Sequence, residues 1–176
     1  MSPAVVSPRT AAEPMAFTGL EFFRGLCLAF LWATGLISLA WTVAAFPYGL
    51  YSLMWVVPAA GAAAIVFAAP AWLLGQLLRR VRPLRWHVIA FATLGAVVGV
   101  VTTLAFLAWS GGPGPYIGGP LNVIYAINVS LSAAAVALGW WRAARRALRD
   151  DAARSLAART AAEMPAPAPA SAPASE

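Results

Sequence analysis

Arg79-Arg80-Val81-Arg82-Pro83-Leu84-Arg85 holds the only charges between Arg24 and Arg142, and it divides the chain into two charge-free runs. Gly25 to Leu78 contains no Asp, Glu, Lys or Arg, and neither does Trp86 to Trp141. Each run exceeds fifty residues, whereas one helical crossing of a bilayer takes about 20. Each run must therefore fold back on itself. The turn signals fall near the middle of each, at Phe46-Pro47-Tyr48-Gly49 and across the Gly/Pro-rich stretch from Ser110 to Pro120. The expectation is an all-α, integral membrane four-helix bundle built from two transmembrane hairpins. Its helices are expected at 24–46, 51–78, 86–109 and 121–141. Barrel strands would alternate apolar and polar residues, and these runs are continuously apolar. A helix also pairs its backbone groups internally, as hydrocarbon demands.

Composition points the same way. Of the 176 residues 61% are hydrophobic and 10% charged, against about 25% charged in a typical soluble domain. The net charge is +6, and all twelve basic residues are arginine. Lys-free, Ala- and Arg-rich usage fits a bacterial genome of high GC content. The first apolar run is preceded by a polar segment and is about 20 residues long, longer than a signal-peptide core. It reads as an anchor that is retained.

The arginines orient the spans. Arg9 and Arg24 precede the first helix, Arg79, Arg80, Arg82 and Arg85 join the second to the third, and Arg142, Arg145, Arg146 and Arg149 follow the fourth. The other two loops carry no charge. The positive-inside rule then places both termini and the central loop in the cytoplasm of a bacterial cell. Trp41, Tyr48, Tyr51, Trp109 and Tyr116 flank the outer turns, and Trp72, Trp86, Trp140 and Trp141 the inner ends, as expected of headgroup belts.

Outside the spans, residues 1–17 contain three prolines and no periodicity, and are expected to form a disordered cytoplasmic tail. Thr18-Gly-Leu-Glu21 fits a capping box. Residues 142–163 continue the fourth helix as an Arg-rich extension, with Arg142, Arg145, Arg146 and Arg149 on one face. From 164 to 176 the Pro/Ala tail reads as extended and disordered.

Candidate chemistry is sparse. Cys27 and His87 are the single cysteine and histidine, which excludes an intramolecular disulfide, a cysteine-based zinc cluster and bis-histidine haem ligation. No HExxH or GxSxG occurs and no acidic pair lies in a span. No enzyme, cofactor or metal site is expected, and no nucleic-acid motif accompanies the arginines. The chain is similar to small multidrug transporters in size and span number. Those transporters use a glutamate in the first helix, and here no acid follows Glu21 in that helix.

Several features remain. His87, after Arg85-Trp86, is expected at the membrane boundary with its ring solvated. Arg79, Arg80, Arg82, Arg85, Arg142, Arg145, Arg146 and Arg149 are the candidate contacts to anionic headgroups on the cytoplasmic side. Gly95-Ala-Val-Val-Gly99 is a GxxxG expected to pack within the chain, with self-association as its alternative. Asn128 and Ser132 share a helix face and are expected to bond between helices. The functional expectation is a non-enzymatic partner-binding or scaffold subunit. The alternative is a small transporter or pore former with Asn128 and the outer tyrosines along its path.

Overall fold

A computed structural model describes residues 7–46, 48–111 and 121–163. Four α-helices account for most of them: α1 (Gly19–Ala44), α2 (Leu53–Leu78), α3 (Leu84–Trp109) and α4 (Leu121–Glu163), with a short 3-10 turn at Tyr48–Ser52 before α2. All four are long and apolar enough to cross a membrane. Each of the first three has 26 residues, about 39 Å at 1.5 Å per residue, against a hydrocarbon core of about 30 Å.

Local signals explain the boundaries. Thr18 caps α1: its Oγ1 accepts from the Glu21 amide at 3.2 Å, and the Thr18 amide donates to Glu21 Oε2 at 3.0 Å. Both halves of the expected capping box are present. Helix α1 starts five residues before the expected 24, because that cap lies below the apolar run. Pro58 and Pro70 both sit inside α2, on exposed faces. Pro83 caps α3 with extended backbone, as a residue that cannot continue a helix from the α2 side. Pro47, residues 112–120 in the second turn, and the tail from 164 lie outside the described residues.

Helix α4 is the centre of the packing. It lies against α1 on one side and α3 on the other, while α2 touches α1 and α3 and its backbone does not approach α4. Both seams of α4 are built on glycine. A methyl group at Gly95 would fall 2.5 Å from the Ser132 carbonyl oxygen and 2.8 Å from Ala133 Cα. At Gly99 it would meet Val129 Cα at 2.7 Å, and at Gly139 the Ala29 amide nitrogen at 2.6 Å. The GxxxG of α3 thus serves contact within the chain. Small residues let backbones approach where lipid supplies no hydrophobic force between helices.

Polar groups close the same seam. Trp41 Nε1 donates to Asn128 Oδ1 at 3.1 Å, Asn128 Nδ2 donates to Thr103 Oγ1 at 3.2 Å, and Thr103 Oγ1 donates to the Gly99 carbonyl at 2.7 Å. One asparagine on α4 thereby joins α1 to α3. Trp41 bonds inward here, where the sequence pattern placed it in the outer belt.

Three further expectations need correction. Residues 7–17 are organised: Met15 is buried and its amide donates to the Arg79 carbonyl at 3.0 Å. The tail lacks helical periodicity because it is held by side-chain partners far away in sequence. His87 is fully buried rather than solvated. Its Nε2 lies 2.8 Å from the Val81 carbonyl, so Nε2–H is the donor. The ring lies parallel to Trp140, which itself stacks on Phe91 with centroids 4.2 Å apart. Trp140 is likewise buried and not part of a belt. The segment ending in Phe17 covers these rings, and no local pattern around His87 records that cover.

Candidate functional site

The chemistry-bearing residues gather at the end of the molecule where α1 begins, α2 gives way to α3, and α4 leaves the apolar region. Phe17 anchors that end. Its ring meets Trp72 and Trp140 edge-on, with centroids at 5.0 and 5.4 Å, and Phe22 adds a further edge contact to Trp72. The absence of a side chain at Gly75 makes room: a methyl group there would lie 2.7 Å from the Phe17 ring.

Arg9 ties the N-terminal segment to two helices at once. Its Nη2 lies 3.0 Å from Glu21 Oε2 on α1, and its Nη1 lies 2.6 Å from Asp151 Oδ2 on α4. Glu21 therefore works twice, completing the cap at Thr18 and holding Arg9. Ser7 Oγ donates to the same Asp151 oxygen at 2.9 Å, and Arg154 pairs with Asp151 from the next helical turn. Burial pushes the Asp151 carboxyl up, but hydrogen bonds from Arg154, Ser7 and Arg9, with the charge of Arg9, outweigh it. Its pKa lies below the ordinary carboxylate value. This clasp of the N-terminal segment onto two helices was not visible in the sequence, since Arg9 and Asp151 are 142 positions apart. The only hint was the acidic pair Asp150-Asp151 among the arginines of the extension.

The eight arginines singled out from the sequence fall into different settings. Arg79 and Arg80 face Glu13 of the N-terminal segment, at 3.3 and 4.0 Å. Arg85 sits 5.8 Å from the Trp86 ring centroid. Arg142 lies over Trp32 at 4.7 Å and Arg145 over Trp141 at 4.3 Å, both within cation–π range. Arg82, Arg146 and Arg149 are exposed and form no ion pair among the described residues. The turn set and the α4 set are thus partnered through different neighbours and form no single cluster.

Arg146 lines a groove of about 310 Å³ between α1 and α4. Glu21, Arg24, Cys27 and Leu28 form its α1 wall, and Ala147 and Asp150 continue its α4 wall. Sequence reasoning used Arg24 for orientation and missed it as a site residue. The signal was its position as the last charge before the apolar run. Among the described residues, no three His, Cys, Asp or Glu side chains gather as metal ligands. Comparison with protein-family models, with curated proteins and with solved structures gives no match for this chain. Four apolar helices compatible with a membrane protein are therefore the firm result, and the function rests on the site itself.

Proposed function

We propose that the chain is a multi-pass protein of a bacterial cytoplasmic membrane, with both termini in the cytoplasm, acting without catalysis as a partner-binding or scaffold subunit. The observation that carries this reading is the length of α4. At 43 residues it measures about 64 Å, roughly twice the hydrocarbon thickness. Its last twelve residues, 152–163, are all exposed. Leu156, at 67% exposure, stands out on an otherwise Ala-rich surface. Twelve helical residues without packing contacts are marginal in water, so a protein that covers this end of α4 would both stabilise it and gain a defined contact.

The orientation follows from the arginines, all of which lie at one end or in the segments leading from it. Arg82, Arg85 and Arg149 in that position would also be drawn to anionic headgroups, by about 1 kcal/mol each. The transporter reading puts Asn128 and the outer tyrosines along its path. The Asn128 amide is engaged with both Trp41 and Thr103, which favours a structural role.

A photo-crosslinking residue at position 156, used in intact cells, tests the proposal. The expected result is a discrete adduct with one protein, lost when the crosslinker is moved to the lipid-facing position 97. Failure to obtain an adduct from any position in 152–163 would remove the scaffold reading. Truncation after Arg154 is the companion test, since it spares the Asp151 clasp.

A further inference from the structure

The groove between α1 and α4 has a charge pattern that its neighbours do not share. Around it, and at Glu21 on its own wall, cations and acids are already matched. Glu21 is held by Arg9 and by the Thr18 amide, Asp151 takes Arg9, Arg154 and Ser7, and Arg142 lies on an indole. Within the groove, Arg24 and Arg146 have no carboxylate at ion-pair distance among the described residues, and Asp150 has no cation. Two guanidinium groups and one carboxylate are thus left facing a common space of about 310 Å³, which lies within the usual range for ligand pockets of about 300–1,000 Å³.

The walls say what kind of molecule fits. Cys27, Leu28 and Ala147 give the groove an apolar floor. On α1 the helical spacing continues from Leu28 to Leu31, Gly35 and Leu39, all three exposed. A methyl group at Gly35 would meet nothing within 4 Å, so this face offers a shallow apolar track. Arg24 is the last charge before that track. Charge above and an apolar strip below match an amphiphile with its head in the groove and one chain along α1.

We propose that this groove binds one glycerophospholipid bearing a primary ammonium, with its phosphodiester between Arg24 and Arg146 and its ammonium at Asp150. Guanidinium groups recognise phosphate oxygens through charge-assisted hydrogen bonds. A headgroup without a cation leaves Asp150 facing a phosphate unpaired. A quaternary ammonium neutralises Asp150 in part but donates no hydrogen bond to it. The site is independent of whether α4 carries a protein partner.

Native mass spectrometry of the full chain in detergent tests it, with phosphatidylethanolamine, phosphatidylcholine and phosphatidylglycerol offered at equal concentration. One phosphatidylethanolamine per chain should be retained about tenfold more tightly than the other two. The double variant Arg24→Gln/Arg146→Gln should lose that retention by about tenfold or more, whereas Arg80→Gln, at the α2–α3 turn, should not. Asp150→Asn should still bind lipid and should erase the preference for the primary ammonium. Because Asp150 is exposed and unpaired, this variant keeps the test valid even if the double variant unfolds. Equal retention of the three lipids, a preference for phosphatidylglycerol, an unchanged preference in Asp150→Asn, or displacement by millimolar inorganic phosphate would each overturn the assignment.

Discussion

The seam between α3 and α4 and the flank formed by α2 are written in the same apolar alphabet, yet they use it differently. The seam brings backbones together over Gly95 and Gly99 and closes with the bond between Asn128 and Thr103, whereas Ser132, expected to bond between helices as well, is buried there by packing against Gly99 and makes no interhelical hydrogen bond among the described residues. Helix α2 buries only Ala71 and Gly75, both near its arginine-rich end. It leaves Met54, Ile65, Val66, Leu73 and Leu77 largely exposed. In water that surface would be costly, at about 25 cal/mol per Å². In hydrocarbon it costs nothing, and helix association depends on close packing and hydrogen bonds instead. The contrast teaches that the large apolar residues of α2 face outward, and small or polar ones mark where α3 meets α4.

The largest expected effect comes from filling the seam. Gly95→Leu forces a side chain against the α4 backbone, which cannot swing aside, and should cost about 3 kcal/mol in detergent unfolding. Gly61→Leu on α2, where the nearest atom is a Phe30 ring carbon at 3.9 Å, should shift stability by less than about 1 kcal/mol. Equal effects at the two sites would erase the distinction between seam and flank.

The clasp comes next. Arg9→Ala leaves Glu21 and Asp151 without their shared cation, with side chains only 19% and 17% exposed. The expected loss is on the order of 1–3 kcal/mol, read as faster hydrogen exchange over residues 7–17. Because the folded Asp151 pKa is depressed, its contribution is present above the ordinary aspartate value of about 3.9. It is lost only as pH falls through the lower folded value. Protection in residues 7–17, taken relative to the intrinsic exchange rate at each pH, should therefore be unchanged between pH 7 and 5 and fall in stronger acid. Loss of protection already at pH 5–6 would contradict this origin. The smallest effect is at Asn128: Asn128→Leu breaks both interhelical bonds and should cost about 1–2 kcal/mol, while Val66→Ala on the lipid face of α2 should be near neutral.

The spans were legible because a charge-free run longer than two crossings has few ways to fold, and the helix starts were legible where a cap is local, as at Thr18 and Glu21. The residues that organise the arginine-rich end were not. Arg9 and Asp151 meet across nearly the whole chain, and periodicity carries no record of such pairs. His87 was misplaced for a related reason: its ring is covered by Trp140 of α4, which Phe17 of the N-terminal segment packs against in turn. Arg24 was read for its charge alone, because the groove beside it exists only once α1 and α4 are set side by side.

The central claim is the arrangement of the four spans with every arginine on one side. Alkaline phosphatase fused after Ser110, compared with the same enzyme fused after Glu176, measures it most directly, since the enzyme is active only outside the cytoplasm. The account predicts high activity after Ser110 and background activity after Glu176. High activity after Glu176, or none after Ser110, would contradict it.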